Sequence, residues 1–245
     1  MTFPREAFTA HGGCACKALR YRVAVPDLDS RAPAPGLLPG MQSDEDVRLP
    51  ETTVCHCNDC RRASGQLAAY GVLFEKAHVQ VSAITRAMAE AADAGVPADD
   101  DDDKRNWIPA AALFDDQAGL GDELCVSVYK SSPRRHKAFC PRCGVAIGHV
   151  AGKGTVPPEW GWPDTMAVVT ATMDREVLER EWWRPERATW TACGIPWVRD
   201  AVRGGVAGVV EHPLAFRDKV MGEDIAQQVE MLKALGENIN VTIAK

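Results

Sequence analysis

The chain has 245 residues, 46% of them hydrophobic and 25% charged, an ordinary make-up for a globular protein long enough to bury a real core. Its formal net charge of −6 argues against nonspecific binding to nucleic acid or to an anionic membrane, since both need a basic face. No stretch approaches the roughly 20 apolar residues of a membrane span, and the opening MTFPREAFTAHGG has no apolar run of signal-peptide length, so a cytoplasmic protein with reduced thiols is expected.

In chain order, Cys14-Ala-Cys16 comes first. In extended backbone, residues i and i+2 point to one side, so both sulfurs could reach one ion. Residues 17–25 then alternate, with Leu19, Tyr21, Val23 and Val25 on one face and Arg20 and Arg22 on the other, which predicts a half-buried strand. Residues 26–50 carry Pro26, Pro33, Pro35, Pro39 and Pro50 and read as a loop insertion outside the core. Cys55-His56-Cys57-Asn58-Asp59-Cys60-Arg61-Arg62 follows.

Strand character resumes over 67–82, where Val72, Leu73, Phe74, Val79 and Val81 stand out. A second insertion spans about 84–123, with a short helical turn at 86–95 and a solvated loop at the acid run Asp99 to Asp103. Residues 124–130, 145–150 and 166–172 read as strands. The one compact basic run, Arg134-Arg135-His136-Lys137, reads as a solvated loop rather than a phosphate clamp. Cys140-Pro-Arg-Cys143-Gly144 has the form of a zinc knuckle, its glycine free to take the left-handed conformation such turns need. A polar, aromatic segment with Trp182, Trp183, Trp190 and Trp197 comes next.

At the C-terminus, Asp224 and Gln227 form a capping-box pattern. Ile225, Val229, Leu232 and Leu235 then recur at helical spacing, and Gly236 ends the helix. Its apolar stripe is expected to pack on its own domain, with a homodimer contact as the runner-up. The expected architecture is mostly β: a domain over 1–215 with two long insertions, then a helical tail over 216–245.

An odd cysteine count with short paired spacings points to metal rather than to disulfides. The outer four, Cys14, Cys16, Cys140 and Cys143, suit a closed structural zinc site, and the middle three, Cys55, Cys57 and Cys60, suit a site with one position open. That fourth position would take water, a substrate, or a remote side chain, with Cys125, Cys193, His136 and His149 as candidates. His56 is expected to point away from the metal, as a supporting or surface residue.

Zinc with three thiolates carries a formal charge of −1, which makes it a weak acid toward water. It is a suitable partner for a thiol, which binds as a soft fourth ligand and loses its proton. The middle site therefore favours thiol activation over hydrolysis. Arg61 and Arg62 could offset the negative charge, bind a substrate carboxylate in bidentate fashion, or simply lie exposed.

These motifs resemble the glutathione-dependent formaldehyde-activating enzyme (GFA) family, which includes centromere protein V-like proteins. The matching pieces are His11-Gly12-Gly13-Cys14-Ala15-Cys16, Cys55 through Cys60 with Arg61-Arg62-Ala63-Ser64-Gly65, Ser131-Ser132-Pro133, and Phe139-Cys140-Pro-Arg-Cys143-Gly144. A weaker echo runs through Thr170-Ala-Thr172-Met-Asp174 to Pro196-Trp197. The resemblance implies a complex β-fold of the GFA-like type with two zinc ions, one structural on the outer four cysteines and one catalytic on Cys55, Cys57 and Cys60. It implies carbon–sulfur lyase or synthase chemistry joining glutathione to formaldehyde, with Arg61, Arg62, Ser64, Ser131 and Lys137 as candidate substrate-binding residues. Lys137 stands where the family usually has arginine, which loses bidentate carboxylate binding. The insertions point to one competing reading, an enzyme of the same fold acting on a larger natural-product or xenobiotic electrophile, and the centromere-protein branch of the resemblance implies another, a non-catalytic zinc-binding module.

Overall fold

The computed structural model describes residues 3–36, 47–91, 105–114, 123–132, 135–151, 156–205 and 210–211. The acid run and the expected C-terminal helix, with its domain boundary and dimer stripe, lie outside these residues. The fold is mostly β. Strands β1 (Phe8–Gly13), β2 (Leu19–Val25), β3 (Glu51–Cys55), β4 (Ala69–Glu75), β5 (Val79–Ala83) and β6 (Ile108–Pro109) come from the first half. Strands β7 (Ser127–Ser132), β8 (Arg135–Phe139), β9 (Ala146–Ala151), β10 (Thr165–Val169), β11 (Arg187–Thr189) and β12 (Val210–Glu211) come from the second.

They form a four-stranded sheet in the order β1-β2-β5-β6 and an eight-stranded sheet in the order β12-β11-β3-β4-β10-β9-β8-β7. Both sheets feed one core: Leu19, Tyr21, Val23, Val79 and Val81 from the small sheet meet Val72, Phe74, Met166, Val168 and Val150 from the large one. Helix Pro196–Gly205 closes a smaller cluster, setting Val198 and Val202 against Val54 and Ala188. Among the described residues no helix is long and apolar enough to cross a membrane.

Alternation in residues 19–25 is realised as β2, whose odd-numbered residues are all buried. The 67–82 stretch is two strands, not one. A turn at Lys76–His78 carries the chain from β4 in the large sheet to β5 in the small one. Lys76 is buried at that corner and keeps its charge partnered by Asp164 at 2.6 Å. Strand β7 starts only at Ser127, and Leu124 makes a separate bridge with Thr85. The 166–172 reading is cut short by a turn at Thr170–Thr172.

Both insertions are better anchored than a loop reading allows. In the first, Arg31 is buried and its guanidinium gathers the carbonyls of Pro26, Pro4 and Glu6 at 2.7, 2.7 and 3.0 Å, while Ala34 and Leu49 are also buried. In the second, Ile108–Pro109 adds β6 to the small sheet, and helix Ala110–Phe114 sends Ala110, Leu113 and Phe114 into the core. Trp182 and Trp183 are core residues rather than part of a polar segment. Their rings meet Phe3 and Phe8 edge-on at centroid distances of 4.8 to 6.3 Å.

The first hairpin is also tied to the far end of the chain. Arg20 grips Asp174 with both guanidinium nitrogens, at 2.8 and 2.5 Å. Tyr21 shares a hydrogen bond with Thr172 at 3.0 Å, and a Cβ on Gly12 would fall 2.2 Å from the Tyr21 hydroxyl. Glycine is what lets this tyrosine lie there.

At the other edge of the large sheet, Arg187 on β11 pairs with Glu51 on β3 at 2.7 Å and also holds the Pro35 carbonyl. Burial pushes the Glu51 carboxyl up to about 7 against the pull of Arg187. A folded-state pKa raised above the unfolded value adds stability below the ordinary carboxylate range that disappears as pH rises through about 7. Glu51→Gln is therefore expected to flatten the pH dependence of stability between about pH 5 and 8, by on the order of 3 kcal/mol. Urea unfolding at several pH values checks this. Parallel curves for the two proteins would refute the assignment.

Candidate metal centres and the adjoining cavity

Cys14 and Cys16 lie in the β1–β2 turn, not in extended backbone. The turn closes through Cys14 N–H to Leu19 C=O at 2.9 Å and Lys17 N–H to Cys14 C=O at 3.0 Å, with Lys17 itself left-handed at φ 59°. Cys140 and Cys143 lie in the β8–β9 turn, where Gly144 N–H donates to Cys140 C=O at 2.8 Å and Gly144 sits at φ 74°. The four thiols thus join a hairpin of the small sheet to a hairpin of the large one.

Their sulfurs all lie within 4.8 Å of one another, with Cys14–Cys16 at 3.5 Å and Cys16–Cys140 at 3.7 Å. A tetrahedral ion with bonds of about 2.3 Å needs sulfurs about 3.8 Å apart, so the set fits zinc. The Cys140 thiol is pulled down to about 4 by hydrogen bonding from Cys14 and by the backbone N–H groups of Cys143 and Arg142. Cys14 is pushed up as the donor in that pair. Cys125, a candidate for the other site, is buried beside this one and interacts with Cys140.

The second set is Cys55 at the end of β3 with Cys57 and Cys60, also within 4.8 Å of one another. Cys57 caps helix α1 (Asn58–Ser64), its sulfur accepting from Cys60 N–H at 3.3 Å, and lies 3.4 Å from the Cys55 sulfur. This set fits three zinc thiolates. Among the described residues no further Cys, His, Asp or Glu completes either group. His56 is buried, not at the surface, and packs toward Gly194.

The basic run is not a solvated loop: residues 135–137 belong to β8, and Lys137 is buried. Its ammonium donates to Cys60 Sγ at 3.4 Å and stands 3.4 Å from the Asp59 carboxylate. Asp59 in turn accepts from the Ser131 hydroxyl at 3.2 Å. Burial pulls the Lys137 pKa down, but the charges of Cys60 and Asp59 outweigh it and leave the ammonium firmly protonated. Hydrogen bonds from Cys55 and Cys57 hold the Cys60 thiol well below its usual range, with the Lys137 charge helping.

Lys137 pairs directly with His149 across β8 and β9, and His149 with Ala167 across β9 and β10. Continuing the register through β4 and β3 puts Gly71, Ala69, Thr53 and Cys55 on that same face, opposite the core. Here a cavity of about 50 Å³ opens, lined by Cys55, Cys60, Ser64, Lys137, His149 and small residues such as Ala69, Gly71 and Ala167. A flat sheet would set β3 and β8 about 19 Å apart, at roughly 4.8 Å per strand. The 3.4 Å contact between Cys60 and Lys137 therefore requires the sheet to curl around the cavity and α1 to lie across it. Small side chains leave room for that curl. Burial, then the Lys137 charge, lowers the His149 pKa to about 4, so its imidazole is neutral at pH 7.

Of the residues nominated from sequence, Cys55, Cys60, Ser64, Lys137 and His149 line the cavity, and Ser131 is linked to Lys137 through Asp59. Arg61 donates to Asn58 at 3.3 Å, Arg62 is exposed, and neither lines the cavity. Cys193 and His136 do not line it either. Asp59 was missed. The only available signal was an acid within the cysteine motif, and its pairing with Lys137 is set by the fold.

No known family profile and no curated protein matches the chain. Among solved structures, a crystal structure of a Rhodobacter sphaeroides protein aligns at 13% identity over 69% of this chain and 94% of that one, with a TM-score of 0.31. That likeness is too slight to bear on function.

Proposed function

We propose that the chain is a zinc-dependent carbon–sulfur lyase or synthase acting on the adduct of a small thiol, such as glutathione, with a small aldehyde, as its resemblance to the GFA family implies. The observation that carries this reading is a cavity lined by Cys55 and Cys60, two of the three clustered thiols, together with the Lys137 ammonium and the His149 imidazole. Zinc held by Cys55, Cys57 and Cys60 would take a substrate thiol as its fourth ligand and keep it deprotonated.

The reaction adds S–H across C=O. A C–S bond forms, the carbonyl π pair ends on oxygen, and the thiol's proton follows it there. Lys137 supplies a fixed positive charge beside the cavity for that oxygen. A neutral His149 ring nitrogen can accept the proton and pass it on.

A cavity of about 50 Å³ has room for a one- or two-carbon aldehyde, which favours the small electrophile over a bulky natural product. Exchange spectroscopy on glutathione with formaldehyde, against benzaldehyde as a bulky comparison, tests the reading. Acceleration only with formaldehyde is expected, and no acceleration with any aldehyde would end it.

The cavity also makes a finer prediction. A Cβ on Gly71 would meet the Val168 carbonyl at 3.4 Å and the Thr53 hydroxyl at 3.9 Å, both ordinary contacts. Gly71→Ala should fold, and its methyl should narrow the cavity. It is expected to raise the kcat/KM preference for formaldehyde over acetaldehyde about tenfold, the usual effect of one methyl group in a tight pocket. An unchanged ratio would place the reacting carbon elsewhere.

A further inference from the structure

We propose that Lys137 is the resident counter-cation of the three-thiol metal site, wedged between Cys60 and Asp59 to set how tightly the cluster holds a divalent metal. In this role it is a positioning residue that acts through Cys60, in addition to the charge it lends the cavity in the function proposed above, and it is not an anchor for a substrate carboxylate. The inference requires a metal on Cys55, Cys57 and Cys60, as in the function proposed above, but it does not require carbon–sulfur chemistry.

The geometry carries it. Two of the ammonium's contacts are already committed, to Cys60 Sγ at 3.4 Å and to the Asp59 carboxylate at 3.4 Å. The Lys137 side chain is only 10% exposed and that of Asp59 13%, so water screens neither charge well. Asp59 is fixed from behind by the Ser131 hydroxyl, which also reaches the Arg135 carbonyl at 3.4 Å. A lysine meant to catch a carboxylate arriving from solvent would not be held against a resident one.

The charge count explains the arrangement. Three thiolates and a divalent ion leave −1, and Asp59 adds a second negative charge within one ammonium's width of Cys60. Without Lys137 the two anions would face each other in a poorly solvated space. The N–H···S hydrogen bond also draws electron density from the Cys60 sulfur; this opposes the charge effect on affinity but is the smaller of the two, and it shows in the energy of the sulfur-to-metal charge-transfer band.

The test uses the full-length protein loaded with cobalt(II), titrated against a competing chelator and read by its sulfur-to-cobalt charge-transfer absorption. In Lys137→Met the middle-site Kd is expected to rise about ten- to a hundredfold, the usual worth of a hydrogen bond to a charged group. The outer site should be unchanged and serves as the internal control. The charge-transfer band should move to longer wavelength, because a thiolate relieved of its hydrogen bond gives up an electron more easily. Lys137→Arg, which keeps the charge, should restore most of the affinity.

Wild-type affinity and an unshifted band in Lys137→Met would overturn the proposal. If that variant fails to fold, Asp59→Asn decides: removing the competing anion should leave the middle-site affinity equal or tighter, and a weaker site would overturn it. A wild-type chain that takes up no second metal would defeat both this inference and the proposed function. Absence of thiol–aldehyde turnover with the cobalt shifts intact would defeat only the function.

Discussion

A Cys140→Ser chain is expected to lose one metal ion and most of its folding stability. Cys140 is fully buried, at 0% exposure, and its sulfur is the acceptor around which the outer cluster is organised. The cluster joins the turn between β1 and β2 to the turn between β8 and β9, and these hairpins belong to different sheets. A structural zinc contributes about 10–16 kcal/mol in small zinc peptides, against about 5–15 kcal/mol of stability for a whole domain. This domain has its own core and the Arg20–Asp174 pair across the same junction, so the loss should be smaller, on the order of 5 kcal/mol. That corresponds to a fall in Tm of roughly 10–20 °C for a chain of this size. Differential scanning calorimetry with metal analysis measures both quantities. A variant with one metal fewer and an unchanged Tm would mean that the cluster does not hold the sheets together.

Cys57→Ser should behave in the opposite way, remaining folded while losing the proposed thiol-dependent turnover by about a thousandfold or more, the size of loss that goes with removal of an essential group. The Cys57 sulfur does two jobs, capping α1 by accepting from Cys60 N–H and contributing to the middle cluster. Serine is among the best N-cap residues, so the helix start survives. A hydroxyl is a poor substitute for a soft thiolate on zinc, so the metal is lost. Metal content should drop from two ions to one, with Tm within a few degrees of the parent. Turnover that persists in this variant would remove the middle cluster from the chemistry.

Both cysteine groups that these variants probe were legible in the sequence, and their surroundings were not. Cysteine spacing is local, so both metal groups could be read directly. Strand alternation is local too, which is why β2 was plain. The Lys137–Asp59–Ser131 group depends on α1 lying over a curled sheet, and no short window of sequence encodes that curl. The pairing of Lys137 with His149 depends on the β8–β9 register, which a bulge at Ala138/Phe139 shifts just before the knuckle. Residues 105–114 read as insertion because their core contribution comes from a two-residue strand and a five-residue helix, both too short to show a period. Arg31 read as a loop residue because its partners are backbone carbonyls, which sequence does not advertise.

Strand β8 mechanically couples the cavity to the outer cluster. It presents Lys137 to the cavity and, three residues later, Cys140 to the outer cluster. About 10 Å of extended chain separates the two, at roughly 3.3 Å per residue. Any change that loosens the outer turn therefore slackens the strand that aims the ammonium. Under the function proposed above, kinetic defects in Cys14, Cys16, Cys140 or Cys143 variants would resemble damage to the middle cluster while arising at the outer one, and only a metal count for each site separates the two origins.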